Sequence, residues 1–110
     1  MERRDNAIRR STRLSLEIPV VLTTLDPAYG FCKECKTVMV NAHGCCVIVP
    51  ERLRSETPVM VKLISNGEGK NGRVVLGIPL LEKPSWMLEV EFDSPGNFWE
   101  VENPPADWHT

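Results

Sequence analysis

The sequence predicts an all-β fold, a closed or nearly closed antiparallel barrel of six short strands. Apolar and polar residues alternate with a period of two in several stretches, most clearly in WMLEVEF at 86–92. Turn-forming residues separate these stretches at short intervals. No stretch of a dozen residues repeats its apolar positions with the period of a helix.

The first three strands follow from alternation and from the turns between them. Strict alternation runs from Leu14 to Thr23, and Pro19 within it indicates an edge or bulge position. DPAYG at 26–30 predicts a turn, after which a second strand should run from about Phe31 to Asn41. CCVIVP then predicts a third strand that ends at Pro50.

The last three strands are predicted in the same way. PVMVKLI at 58–64 forms the fourth, and the glycine-rich segment 65–72 is expected to be a hairpin loop. RVVLGIPLLE at 73–82 forms the fifth, which KPS ends. The sixth is 86–92, and its alternation predicts two faces: Trp86, Leu88, Val90 and Phe92 inward, with Met87, Glu89 and Glu91 outward.

The C-terminus is predicted to be a short helical turn or an irregular tail. The segment 96–101 could form one helical turn, and the proline pair at 104–105 bars a regular helix beyond it. Phe98 and Trp99 are expected to plug an open end of the barrel through their apolar area. For Trp99 and Trp108 we favour packing over stacking on a ligand.

The size and composition predict one cytoplasmic domain. The chain has 110 residues, 42% of them hydrophobic and 25% charged, as in ordinary globular proteins. No apolar run approaches the roughly 20 residues that a membrane helix needs, and the N-terminus lacks the apolar stretch of a signal peptide. We therefore expect a cytoplasmic protein without membrane insertion, with its four cysteines as free thiols.

The charge is distributed unevenly along the chain. Residues 1–13 carry five arginines against two acidic residues, whereas the rest carries eight basic and thirteen acidic residues. We expect 1–8 to be a flexible basic arm and 9–110 to be the single barrel domain. An acidic body argues against a nucleic-acid binder, which needs a broad positive face. The arginines suit capture of a small anion, although a solvated basic tail explains the same composition.

The cysteines and a histidine raise three chemical alternatives. Cys32-x-x-Cys35 with Cys45, Cys46 and His43 could hold zinc, but a strand directs 32 and 35, and likewise 45 and 46, to opposite faces. A thioredoxin-like centre needs a helix after Cys35, and none is predicted. A cysteine nucleophile near His43 lacks a predicted cleft. We expect no enzyme, and keep a small zinc module as a minor alternative.

The order of these features resembles the PilZ family, small bacterial six-stranded barrels that sense cyclic di-GMP. The family has an Arg-x-x-x-Arg motif before the first strand, which RRSTR at 9–13 matches. Its second motif, Asp/Asn-x-Ser-x-x-Gly, lies between the second and third strands, where this chain has NAHGCC at 41–46. The resemblance runs from about residue 8 to Trp108, and the ending is similar to that of an acidobacterial-like subgroup.

The resemblance implies a PilZ-like split barrel that binds cyclic di-GMP and passes the signal to a protein partner. It places Arg9 and Arg13, with Arg10 adjacent, on the ligand phosphates and guanines, and Asn41 on a guanine edge. His43 and Cys46 stand where the family has Ser and Gly. The alternative is a degenerate PilZ-like adaptor that works through protein contacts without the nucleotide.

Overall fold

The protein is a closed six-stranded antiparallel barrel. The structure is a computed structural model that describes residues 11–108. The strands pair in the order β1-β2-β3-β6-β5-β4, and β4 returns to pair with β1. Their bounds are β1 Pro19–Thr24, β2 Cys32–Asn41, β3 Gly44–Val49, β4 Pro58–Leu63, β5 Gly69–Pro79 and β6 Trp86–Phe92. The predicted all-β barrel is confirmed, and a 3-10 turn, Ala106–Trp108, follows it.

The first strand is shorter than its alternation predicts. It begins at Pro19, a position where a missing N–H is tolerated. The preceding segment runs beside β2 and forms an isolated bridge between Leu14 and Val40, with N···O distances of 2.8 and 2.9 Å. The hydroxyl of Thr37 accepts a hydrogen bond from the Ile18 amide and donates one to the Leu16 carbonyl. The Thr37 amide still donates to the Ile18 carbonyl at 3.1 Å, so the side chain replaces only part of the regular strand pairing here.

The hairpin between β4 and β5 is tighter than predicted. Residues 69–72, expected in a loop, belong to β5, and the connection spans only 64–68. Gly67 supplies its left-handed residue with φ of 78°. Gly72 pairs with Phe92 in the ladder, and only glycine fits there because a Cβ would come 2.2 Å from the Glu91 carbonyl oxygen. A glycine-rich segment therefore serves close strand packing here as well as a turn.

In two strands, β2 and β5, the pairing register shifts by one residue partway along the strand. The register of β2 against β3 shifts between Thr37 and Met39, and that of β5 against β6 shifts between Val74 and Leu76. Such a β-bulge places two consecutive residues opposite one residue of the partner strand. Each bulge interrupts the inward–outward alternation of side chains in its strand. Strict alternation, as assumed from the sequence, does not predict these interruptions.

The barrel encloses an apolar core that the C-terminal segment closes. Trp99 and Trp108 are 5% and 2% exposed and belong to this core. Trp99 stacks on Phe92 with ring centroids 5.7 Å apart, and Phe98 meets both rings edge-on. The segment after β6 therefore packs as a lid. Among residues 11–108, no helix is long and apolar enough to cross a membrane.

Candidate ligand site on the outer face of the barrel

A cavity of about 420 Å³ lies on the outer face of β2, β3 and β6, beside the segment that leads into β1. It is an open depression rather than an enclosed pocket, and its volume lies at the lower end of the roughly 300–1,000 Å³ of small-molecule sites. The wall combines one cationic, one anionic and several apolar side chains: Arg13, Ser15, Val38, Met39, Cys46, Met87 and Glu89. This composition suits a ligand with charged and flat apolar parts.

Three residues in one row of cross-strand neighbours line the cavity, namely Met39, Cys46 and Glu89, and Leu76 extends the row beyond it. Met39 pairs with Cys46, Cys46 with Glu89, and Glu89 with Leu76 on β5. Both β-bulges end in this row, at Met39 and at Leu76. The β2 bulge directs Val38 and Met39 to the same cavity, although strict alternation would send them to opposite faces. The apolar wall therefore depends on the bulge.

The acidic residues of β6 face outward, as predicted, but they are not solvent-exposed. Glu89 and Glu91 are 7% and 6% exposed. Glu91 accepts a hydrogen bond from the guanidinium of Arg73, which also binds Glu56 at 2.7 Å. Buried carboxylates require such partners. The outer face of β6 is thus a covered polar surface, and sequence alternation alone could not distinguish it from a wetted one.

Asn41, expected on a guanine edge, organises the turn between β2 and β3. Its side-chain oxygen accepts a hydrogen bond from the His43 amide at 2.9 Å, and its amide nitrogen donates to the Ser11 carbonyl at 3.2 Å. Its own carbonyl accepts a bond from the indole nitrogen of Trp99 at 2.9 Å. Asn41 is fully buried. Its polar atoms therefore bind the chain itself.

His43 lies on the same turn, with its ring against the N-terminal segment. Its Nδ1 is 3.0 Å from the hydroxyl of Ser11. That hydroxyl also accepts a bond from the Ala42 amide at 3.1 Å, and Ser11 is only 4% exposed. Where the resemblance places a serine on the turn, this chain has His43, and a serine hydroxyl from another segment contacts it. Sequence reasoning missed Ser11, because nothing in its spacing indicates this contact.

Of the three predicted arginines, Arg13 lies at the cavity. It is exposed and lines the cavity together with Cys46 and Glu89. Arg9 and Arg10 lie outside the described residues, as does the predicted arm at 1–8. The structure therefore brings Arg13 and Cys46 together, while Asn41 and His43 belong to the adjoining turn.

The thiol of Cys46 is a poor nucleophile in this setting. Burial and the nearby Glu89 carboxylate raise the pKa of Cys46 to about 12, and Arg13 opposes this only in part. Burial likewise raises the pKa of Cys45 well above its usual value. At neutral pH both groups are therefore thiols, and thiolates are the form that attacks electrophiles or ligates metals.

The four cysteines are distributed over different surroundings. Cys45 lies in the core and Cys46 on the outer face, Cys35 is half-buried against the core, and Cys32 is exposed. All four are free thiols. Between residues 11 and 108, no group of three or more His, Cys, Asp or Glu side chains is placed to hold a metal ion.

Comparisons with known proteins identify the fold. No family model matches the chain, and no curated protein matches it by sequence. Among solved structures, it is similar to the inhibitor of motility of Bacillus subtilis, MotI/DgrA, with a TM-score of 0.61 and 10% identity. The match covers 88% of this chain and 46% of that one, so this chain spans about half of its length. At this identity the likeness shows the fold alone, which is consistent with the PilZ-like barrel implied by the sequence.

Proposed function

We propose that the chain is a non-enzymatic, cytoplasmic binding module that takes cyclic di-GMP on its outer face and passes the signal to a protein partner. The observation that carries this proposal is the position of Arg13. It belongs to the arginine motif of the resemblance, and it lines a cavity of about 420 Å³ directly beside Cys46 of the second motif. The two motifs are 28 residues or more apart in the sequence.

The wall of the cavity suits the chemistry of this ligand. An arginine fork binds phosphate oxygens in two parallel hydrogen bonds and also stacks on flat rings. Val38, Met39 and Met87 offer apolar and polarisable surface for the face of a base. The carboxyl oxygens of Glu89 can accept hydrogen bonds, and a guanine edge carries N–H donors.

The protein partner is inferred by analogy. The Bacillus subtilis chain is named an inhibitor of motility, and we propose that this chain likewise acts on another protein. The high pKa values of Cys45 and Cys46 keep both thiols protonated near neutral pH, which argues against these two cysteines as catalytic nucleophiles.

Calorimetric titration with cyclic di-GMP tests the proposal. Wild type should bind, and Arg13→Ala should weaken binding roughly ten- to hundredfold, because it removes a charge-assisted hydrogen-bonding group. Arg54→Ala is the matched control, since Arg54 lines a different depression beside Asp26 and Tyr29. Absence of heat at tens of micromolar ligand, with folded protein, would overturn the sensor proposal.

A second candidate, an adaptor without the nucleotide, is favoured by a specific observation. The Cys46 side chain is 3% exposed and occupies the place where the motif has glycine, with buried Glu89 as its cross-strand neighbour. A Cβ and thiol there limit the approach of a ligand to the backbone. In this case wild type does not bind, and the double variant His43→Ser/Cys46→Gly gains binding. If wild type and the double variant give the same cyclic di-GMP binding curve, this explanation is contradicted.

A further inference from the structure

The segment that carries Arg13 is fixed from two sides. On one side, the β2–β3 turn holds Ser11: the Asn41 side chain donates to its carbonyl, and the Ala42 amide donates to its hydroxyl. Ser11 is 4% exposed, so these bonds lie in a largely water-free setting. The residue two positions before Arg13 is therefore anchored to the barrel.

On the other side, the C-terminal 3-10 turn holds Thr12. The Asp107 carboxylate accepts the single amide hydrogen of Thr12, which its two oxygens share at N···O distances of 3.1 and 2.9 Å, and it accepts a second hydrogen bond from the Thr12 hydroxyl at 2.9 Å. The indole nitrogen of Trp108 donates to the Thr12 carbonyl at 2.7 Å. Both backbone polar groups of Thr12 are thus bound by residues some 95 positions later in the chain.

The anchor behind these bonds is buried in the barrel core. Trp108 is 2% exposed and packs in the apolar core, and its amide donates to the Pro105 carbonyl at 3.0 Å. On the far side of Arg13, Leu14 exchanges two backbone bonds with Val40 of β2. The residues immediately before and after Arg13 are therefore both held, while the Arg13 side chain is exposed at the cavity.

From this arrangement we infer that Asp107 and Trp108 are positioning residues, which hold the backbone of Arg13 in place over the outer cavity. An arginine whose backbone is already ordered loses less conformational entropy when it binds an anion. For ligand binding, this inference rests on the proposed function. For the backbone of Arg13, it stands on the hydrogen bonds alone.

A positioning role and a purely electrostatic role for Asp107 predict opposite changes in anion affinity when this residue is replaced. Asp107 carries a negative charge close to a site proposed for an anion, and removing it should tighten anion binding if charge were its only role. If Asp107 positions Arg13, the same substitution weakens binding. Asp107→Ala removes the bonds to both the amide and the hydroxyl of Thr12, whereas Asp107→Asn removes the same charge but keeps a carbonyl oxygen as acceptor.

The experiment has two arms. In the first, cyclic di-GMP is titrated into wild type, Asp107→Ala, Asp107→Asn and Glu102→Ala, which removes an exposed acidic residue from the same segment. We expect Asp107→Ala to raise the dissociation constant about fivefold or more and Asp107→Asn to lie between it and wild type. Glu102→Ala should stay near wild type. Unchanged or tighter binding by both Asp107 variants would overturn the positioning role.

The second arm needs no ligand. Amide hydrogen exchange of Thr12 and Leu14 should accelerate about fivefold in Asp107→Ala, with the β3–β6 amides unchanged. If the amides of Thr12 and Leu14 exchange at the same rate in wild type and in Asp107→Ala, the inference is overturned, whatever the titration shows. If wild type binds no cyclic di-GMP, the proposed function fails by itself, and this arm alone decides whether Asp107 fixes the backbone at Arg13.

Discussion

Gly44 offers a sharp test of how the site is built, because β3 and β6 approach each other too closely there for any side chain. A Cβ on Gly44 would lie 1.9 Å from the Val90 carbonyl oxygen and 3.2 Å from the Glu91 Cα. Contacts of a real Cβ stay beyond 3.0 Å, so Gly44→Ala must push the strands apart by at least about an ångström. The obstacle is backbone, which no change of rotamer can remove.

The cost follows from the bonds in that place. The Phe92 amide donates to the His43 carbonyl at 2.7 Å, and a displacement of this size takes that bond beyond hydrogen-bonding distance. One or two lost bonds cost about 1 kcal/mol each, and the strain of overpacking adds about 1–3 kcal/mol. We expect Gly44→Ala to lower the free energy of unfolding by about 2–5 kcal/mol.

Urea unfolding followed by tryptophan fluorescence measures this loss. With a slope of about 2 kcal/mol per molar urea, the midpoint should fall by roughly 1–2.5 M. Gly30→Ala is the matched control, because a Cβ there meets nothing within 4 Å. It should leave stability unchanged or raise it by up to about 1 kcal/mol. If the two variants unfold within about 0.5 kcal/mol of each other, the close approach of β3 and β6 is refuted.

Two further predictions concern buried ionisable groups. The pKa of Cys46 is raised to about 12 in the fold from an ordinary value of 9.0, so its contribution to stability is full below pH 9 and is lost as the pH rises towards 12. Between pH 9 and 11 the free energy of unfolding should therefore fall less steeply with pH in Cys46→Ala than in wild type, by up to about 1.4 kcal/mol per pH unit. If urea unfolding at these pH values gives the same pH dependence for both proteins, this prediction is contradicted. Glu91→Ala should lower the free energy of unfolding by about 1–3 kcal/mol in thermal or urea unfolding, because it removes a buried carboxylate, 6% exposed, that pairs with Arg73. Glu56→Ala should lower it by less than about 0.5 kcal/mol, because the Glu56 side chain is 69% exposed. Equal losses would refute the difference in burial as the cause.

The fold was predictable because strands in a barrel with a filled core leave a strong signal. The stretch 86–92 has the predicted bounds and the predicted inward residues Leu88, Val90 and Phe92 in the core. Strand ends were less predictable. Alternation continues from Leu14 through Leu22, yet β1 begins at Pro19, because the Thr37 side chain binds the backbone that a strand would have paired.

The site was predictable only where it lies within one segment. NAHGCC was expected between β2 and β3; Asn41 is the last residue of β2, Ala42 and His43 form the connection, and β3 begins at Gly44. Gly44, next to this connection, permits close packing against β6. The contacts of Ser11 with the turn and of Asp107 with Thr12 join residues about 30 and 95 positions apart, and no local pattern encodes them.

The two β-bulges explain why the outer face has a cavity where regular strands would be flat. Both end in the row that contains Cys46 and Glu89, and the extra residue in β2 turns Val38 to the same side as Met39. A bulge bends its strand and increases the local twist, so two bulges flanking β3 and β6 shape the surface between them. Arg13 enters this concavity on a segment tied down by a distant part of the chain. The barrel core could therefore form from alternation alone, whereas a ligand site here requires the breaks in that alternation.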